Sequence, residues 1–407
     1  MTDGAEVPAG GAGPTGGSAA GDERQVAARD VYRSQESTRW FMHHVRQVLG
    51  TADLRGSADQ HGVLVLPRQP RDLTRLTVGG EDGAGTTLAA ALRDTHTDAF
   101  LALHGGHIVF EEYFNGMTPE TPHMWQSVSK SLVSCVAGNL VAAGRLEPDE
   151  RLTDHVPELE GSAYGDALVR HLLDMQVGID YSEEYADPDS DVNQLDRLYG
   201  LRPPRAPGQP GWSYEYATTA RKRGEHGESF DYVSLNVNVL AWVLERATGV
   251  WLPDLIRREV WGRLGGEHDA YIALDVAGSA QAESGVCSSL RDLARLGLAL
   301  LHAGRLDGRQ VVPEAWVKDI MLGGDREAFA RRSEAGVLPK GSYKNNFWVA
   351  RSGAEPAFMG LGIYGQMLYV NPSADLVVAK FSSQAAADDH ECFRLEFSLC
   401  ERLAEQI

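Results

Sequence analysis

The chain is short of positive charge, of cysteine and of long apolar runs. Against 57 acidic residues it sets only 38 lysines and arginines, a formal net charge of −19. Such a surface repels phosphate backbones and anionic headgroups, so the composition argues against nucleic-acid and membrane partners. The one short basic run, Arg221-Lys222-Arg223, reads as a solvated loop. Four cysteines in 407 residues (Cys135, Cys287, Cys392, Cys400) show no CxxC pair. They read as reduced thiols of a cytoplasmic protein, not as a disulfide frame. The opening stretch, MTDGAEVPAGGAGPTGGSAAGDE, has neither a basic start nor an apolar core, so no secretory signal is expected. No later stretch is long and apolar enough to span a bilayer. Metal-ligand patterns are equally thin. His104 and His107 flank a glycine turn with no third ligand nearby in sequence, and Asp389-His390-Glu391 opens a helix, where acids suit the dipole without a metal. No metal and no cofactor is expected.

What is present is 43% hydrophobic residues, enough for one large domain or two intimate ones. Residues 1–24, rich in Gly, Ala and Pro, are expected to be a disordered tail, leaving 25–407 as one folded unit. The run DAFLALHGGHIVFEEYF, Asp98 to Phe114, is two apolar segments around Gly105-Gly106, a hairpin pattern. Val128, Leu132, Val136 and Leu140 recur every fourth residue and predict a helix from Ser127 to Ala143. Helical periodicity returns at 166–175, 235–248, 253–261 and 289–303, and closes the chain at 389–407. Between them, 178–229 is polar and rich in Pro and Gly, and reads as an irregular wall of a binding site. Strand signals return at 344–350 and as two strands within 365–383. Strands at both ends and helices between predict an α+β fold. An antiparallel sheet is built from 95–125 plus 340–407, with flanking helices, and a mainly helical insertion covers about 130–335.

Within MWQSVSKSLVS, Ser127 and Lys130 stand three apart and share a helix face. A serine hydroxyl needs a base within reach to become a nucleophile. A lysine desolvated by Val128, Leu132 and Val133 has its pKa lowered and can serve. If Ser127 opens the helix, its N–H has no intrahelical partner and can face an oxyanion. SxxK alone is also met as a plain helix surface, with the lysine snorkelling to water. Two further features would complete a site. Tyr232, in FDYVSLNVNVLAWVLERATG, can relay a proton, with Ser234 and Asn236 as candidates to orient it. In MGLGIYGQMLYV, Gly360, Gly362 and Gly365 permit close backbone approach, with the Ile363 N–H as a second oxyanion donor.

Taken in order, SVSK, YVS and LGIYG resemble the three motifs of the serine β-lactamase and penicillin-binding protein superfamily. The likeness is closest to its class C-like branch, above all the 6-aminohexanoate-dimer hydrolases and related esterases. It spans roughly 95–405 and is carried also by FLALHGGHIVFEEYFNG, LLDMQVGIDYSEEY and SSLRDLARLGL. The resemblance implies a serine β-lactamase-like fold, with Ser127 as nucleophile, Lys130 as general base and Tyr232 as the second-motif tyrosine. Ser234 stands where class C lactamases carry Asn. It implies Tyr185 as a loop tyrosine that meets the amide nitrogen of the scissile bond, and Asp196 as an acid that meets a substrate amine. Gly362 and Tyr364 would fall in the substrate-binding wall. The third motif departs: Gly360-Leu361-Gly362 replaces KTG, so the cation that greets a β-lactam carboxylate is missing. The expected activity is hydrolysis of a small amide or ester through an acyl-enzyme. Transfer to an amine or alcohol acceptor is one alternative, and a catalytically silent binding protein on the same fold is another. Metal-dependent hydrolysis is the weakest rival. The oligomeric state is left open, a dimer included.

Overall fold

The structure, a computed structural model, describes residues 31–56, 62–78, 85–202, 210–332, 338–351 and 355–407. The tail expected at 1–24 lies outside the described residues. The core is a seven-stranded antiparallel sheet. Its order is Ser342–Lys344, Phe347–Ala350, Ala357–Gly362, Gln366–Asn371, Leu376–Ser382, Thr97–His104, His107–Tyr113. Two strands thus come from the first third of the chain and five from the last stretch, joined side by side through Leu376–Ser382 and Thr97–His104. Leu376–Ser382 is buried at every position because helices cover both faces of the sheet. On one face Leu290–Leu301 lies so close that a Cβ on Gly297 would stand 2.5 Å from Val377 Cγ1 and 2.8 Å from Leu368 Cδ1. On the other, the terminal helix His390–Gln406 packs Phe397 against Tyr369 and Cys400 against Met367. The alternation Met367, Leu368, Tyr369 therefore deals its side chains to opposite helices, as a strand must. This is the antiparallel sheet with flanking helices that the sequence predicts.

The Gly105-Gly106 turn holds both residues at positive φ (57° and 72°), the conformation a two-residue hairpin needs. One expectation is corrected nearby. Lys344 to Ala350 is not a single strand but the turn and second arm of a hairpin, because Asn345 and Asn346 both adopt positive φ (48° and 57°) and reverse the chain. The stretch expected to be irregular also holds two helices, Asp191–Leu198 and Ser213–Thr218. DVNQLDRL hides its helix because two of its three buried residues are Asn193 and Gln194, which give no apolar stripe. Arg221–Lys222 pairs as a short exposed strand with Ile179–Asp180, and Lys222 is tied to Asp166 at 2.6 Å. A second, four-stranded sheet joins Thr51–Leu54, Ala270–Ala273, Val286–Ser288 and His123–Met124. Strands of two to four residues carry too little alternation to be read from sequence. Among the described residues no helix is long and apolar enough to cross a membrane.

Candidate active site

The serine-rich run around Ser127 is explained by what each hydroxyl holds. Ser129 Oγ accepts from the Val286 N–H at 3.1 Å, fixing the small sheet. Ser131 Oγ donates to the Asn346 carbonyl at 2.9 Å, and Ser134 Oγ to that of Asn345, fixing the hairpin turn. The helix Val128–Ala142 is buried on nearly every side, so its polar residues must find partners inside the protein. Ser127 caps it from the αR region, while Gln126 just before it is held at φ 49°, a costly conformation for a side-chain-bearing residue. The amides of Val128, Ser129 and Lys130 already donate to the carbonyls of Trp125, Gln126 and Ser127. The Ser127 N–H has no intrahelical acceptor.

Lys130 is 1% exposed, and its ammonium has three acceptors: Ser127 Oγ at 2.8 Å, the Glu283 carbonyl at 3.0 Å and Ser234 Oγ at 3.1 Å. Burial pulls its pKa down to about 8, against the opposing pull of the Glu183 and Glu283 carboxylates. Ser234 passes the contact on. Its Oγ donates to Glu183 Oε1, and its N–H donates to Glu183 Oε2 at 3.0 Å. Tyr185 OH donates to the same Glu183 Oε1 at 2.8 Å. Glu183 is thus no solvated loop acid but the carboxylate that closes a chain from Lys130 through Ser234. Desolvation raises its pKa, and Lys130 opposes. The Tyr232 ring centroid lies 5.1 Å from Lys130 Nζ, and the ring stacks on Trp348 at 5.4 Å. Asn236 takes no part here. Its Oδ1 accepts from Tyr164 OH at 3.0 Å, so it braces the helix Leu235–Thr248 and does not orient Tyr232.

The glycines of the third motif also permit a close approach within the protein itself. Phe347–Ala350 covers Ala357–Gly362 only along residues 357–359, so Gly360 to Gly362 lie open on that side. The start of the helix Val128–Ala142 fills that opening. A Cβ on Gly360 would meet Ser131 Oγ at 2.9 Å and Val128 Cγ1 at 3.1 Å; one on Gly362 would meet the Trp125 carbonyl at 2.7 Å. The missing side chains let the strand lie close on the helix start. Ile363 follows at the strand's end, and Tyr364 sits at φ 62°, its ring stacked on Tyr32 at 5.6 Å.

Ser127 stands where two spaces meet. A cleft of about 500 Å³ runs past Tyr185, Tyr232, Trp348, Gly362 and Ile363, with Glu184, Asp388 and Asp389 outnumbering Arg332. A narrow recess of about 50 Å³ lies on the other side, lined by Asp196, Glu283, Gln281, Arg202 and Tyr364. Tyr185, Ile363 and Ser127 border both. In the recess Asp196 already receives Arg202 Nε at 3.1 Å, while burial raises its carboxyl to about 6. Glu283, 4% exposed, keeps Oε2 without a hydrogen-bond partner. The sequence singled out Asp196 and missed Glu283, whose only signal was an acid among small polar residues in QAESG.

A hydroxyl beside a buried amine, at the junction of two clefts and under a glycine strand, on a sheet built from both chain ends, defines the serine β-lactamase-like class of fold. The sequence profile of the Beta-lactamase family matches residues 86–401. A 6-aminohexanoate-dimer hydrolase of Paenarthrobacter ureafaciens is 41% identical over 297 residues, 73% of this chain and 75% of that protein. A solved structure assigned to the same hydrolases, from Bacillus anthracis, superposes with a TM-score of 0.84 at 27% identity, covering 93% of this chain and 96% of its own. A penicillin-binding protein homologue from Pyrococcus abyssi shares the fold at 17% identity and a TM-score of 0.60, over 77% of this chain and 75% of its own. The chain belongs to the β-lactamase family, and it is a hydrolase of that family.

Proposed function

We propose that the protein cleaves small amides and esters through an acyl-enzyme on Ser127, and that its preferred substrates carry a free amine. The observation that carries this reading is the 2.8 Å contact between Ser127 Oγ and a lysine that burial brings to about 8. Neutral Lys130 takes the hydroxyl proton as Ser127 Oγ bonds to the substrate carbonyl carbon. The developing oxyanion is received by the N–H groups of Ser127 and Ile363. Tyr232, over the cleft beside Lys130, protonates the departing nitrogen or oxygen, and the acyl-enzyme is released when water attacks by the reverse path. Tyr185 meets the amide nitrogen as it becomes pyramidal, a contact an ester oxygen needs less. Gly362 and Tyr364 form the floor of the substrate wall. The amine preference rests on the recess: two carboxylates, Glu283 and Asp196, face one guanidinium, and Glu283 still has an unsatisfied oxygen. The 6-aminohexanoate-dimer relatives supply the amide of an ω-amino acid as the first substrate to try.

A second reading shares the acyl-enzyme. Space on both sides of Ser127 lets an acceptor amine or alcohol wait in the wide cleft after the first product leaves, which would turn hydrolysis into acyl transfer. The test is direct. A fluorophosphonate should add once to the intact protein and not to Ser127→Ala, read by mass spectrometry. Equal labelling of the two would end the assignment of Ser127. Substrate panels run with and without an added amine then separate hydrolysis from transfer.

A further inference from the structure

Away from the catalytic groups, three side chains from three separate elements converge. His43 ends the helix Gln35–His43, Asp98 lies on the strand Thr97–His104, and His123 lies on the short strand His123–Met124, four residues before Ser127. Their donor atoms all lie within 4.8 Å of one another. Asp98 and His123 are fully buried, and the His43 side chain is 9% exposed.

Hydrogen bonds account for His123 and Asp98 but leave His43 Nε2 out. His123 Nδ1 lies 2.8 Å from the Met124 carbonyl, which can only accept, so Nδ1 carries the proton. His123 Nε2 lies 3.4 Å from Asp98 Oδ2, a long hydrogen bond when that nitrogen carries a proton and an open lone pair when it does not. His43 Nε2 stands 3.9 Å from the same oxygen, beyond hydrogen-bonding distance, and is buried without any partner. The two spacings to Asp98 Oδ2, 3.4 and 3.9 Å, compare with an edge of about 3.3 Å for ligands on a tetrahedral ion with bonds of about 2.0 Å, so binding would draw the three groups slightly together. The surroundings follow the pattern of metal sites, where outer partners orient the ligands. The Met124 carbonyl fixes the His123 ring. Asn115 Nδ2 at 2.8 Å and Arg39 Nε at 3.1 Å both hold the other oxygen, Oδ1, while Ser383 Oγ donates to Oδ2. Arg39 is 27% exposed, so its charge is partly met by water.

We propose that His43 Nε2, Asp98 Oδ2 and His123 Nε2 bind a divalent transition cation, zinc by preference. Two imidazoles and one carboxylate suit zinc better than magnesium or calcium, which take oxygen ligands. The site is structural. It staples the helix Gln35–His43 to the main sheet and to the strand that leads through Gln126 into Ser127, and it takes no part in the hydrolytic step.

The full chain, prepared without a polyhistidine tag and stripped with chelator, would be dialysed against micromolar Zn²⁺ and analysed for bound metal. One zinc per chain is expected, with a rise in Tm on adding zinc, since binding to the folded state alone stabilises it. Co²⁺ should give the visible absorption of a low-symmetry site. His43→Gln, at a partly accessible helix end, should keep the fold and lose affinity by at least about a hundredfold, the upper end of what loss of an outer partner costs. Asp98→Asn, which keeps two polar atoms at that position, should lose it likewise. The exposed His302→Ala should bind as the parent does. Absence of bound zinc, or binding equal in His43→Gln and the parent, would overturn the site and leave a hydrogen-bonded Asp–His cluster. Fluorophosphonate labelling of Ser127 in the stripped protein reports separately on the hydrolase reading.

Discussion

Lys130 sits between two opposing influences, and the balance is measurable. Burial favours the neutral amine, whereas the Glu183 and Glu283 carboxylates favour the ammonium, leaving the pKa at about 8. A base works only when unprotonated, so kcat/KM of the free enzyme should rise with pH through about 8 and level off above it. Glu183→Gln removes one of the two charges that hold the proton on. The rising limb should therefore move to lower pH, while Ser234 keeps an amide oxygen as acceptor. A pH–rate profile on a soluble ester checks this. A limb that stays in place in Glu183→Gln would assign it to a group other than Lys130. The same residue scale explains why Ser234 serves where class C relatives carry Asn. Its hydroxyl accepts from Lys130 and donates to Glu183, joining amine and carboxylate through one oxygen.

At the scale of elements, the proposed oxyanion site depends on how closely one strand lies against the start of one helix. Ala357–Gly362 is uncovered by its neighbour beyond residue 359, and the helix Val128–Ala142 fills that edge. Gly362→Ala would place a methyl 2.7 Å from the Trp125 carbonyl and 3.0 Å from Gln126 Cβ, both backbone or near-backbone atoms with little room to yield. Relief must come from separating strand and helix, which moves the Ile363 N–H away from the Ser127 N–H. The expected outcome is a loss of about 1–3 kcal/mol in stability, from overpacking, together with a fall in kcat larger than any change in KM. Denaturant melts and steady-state kinetics on the same sample check both. Unchanged kcat in a folded Gly362→Ala would remove Ile363 from the oxyanion site.

For the whole molecule the dominant property is its charge. A net −19 surface surrounds a cleft and recess rich in carboxylates, so an amine-bearing substrate should be drawn in and a neutral one should not. Raising salt from low to about 0.5 M shortens the screening length below about 5 Å. It should lower kcat/KM for an ω-amino amide several-fold while leaving a neutral p-nitrophenyl ester nearly unchanged. Parallel salt series on the two substrates check it, and equal slopes would show that the carboxylates do not select the amine. The four cysteines are unpaired, so the fold holds without a disulfide.

What the sequence determined by itself is local. Residues three apart in a helical pattern face the same way, so the meeting of Ser127 and Lys130 was legible from SVSK. Gly105-Gly106 between apolar runs could hardly be anything but a hairpin, and Asp389 marked the start of the last helix by capping it. Tyr232 and Ile363 were weak candidates by themselves and only motif likeness tied them to Ser127, since nothing in spacing does. The tertiary structure decided the rest. Glu183 meets Ser234 across 51 positions, the Glu283 carbonyl meets Lys130 across 153, and His43 reaches Asp98 from a different element. Periodicity reports which face of a segment is buried. Which polar atoms meet once those faces close is fixed only by the packing of distant segments, because a buried donor or acceptor must take whatever partner the fold brings within reach.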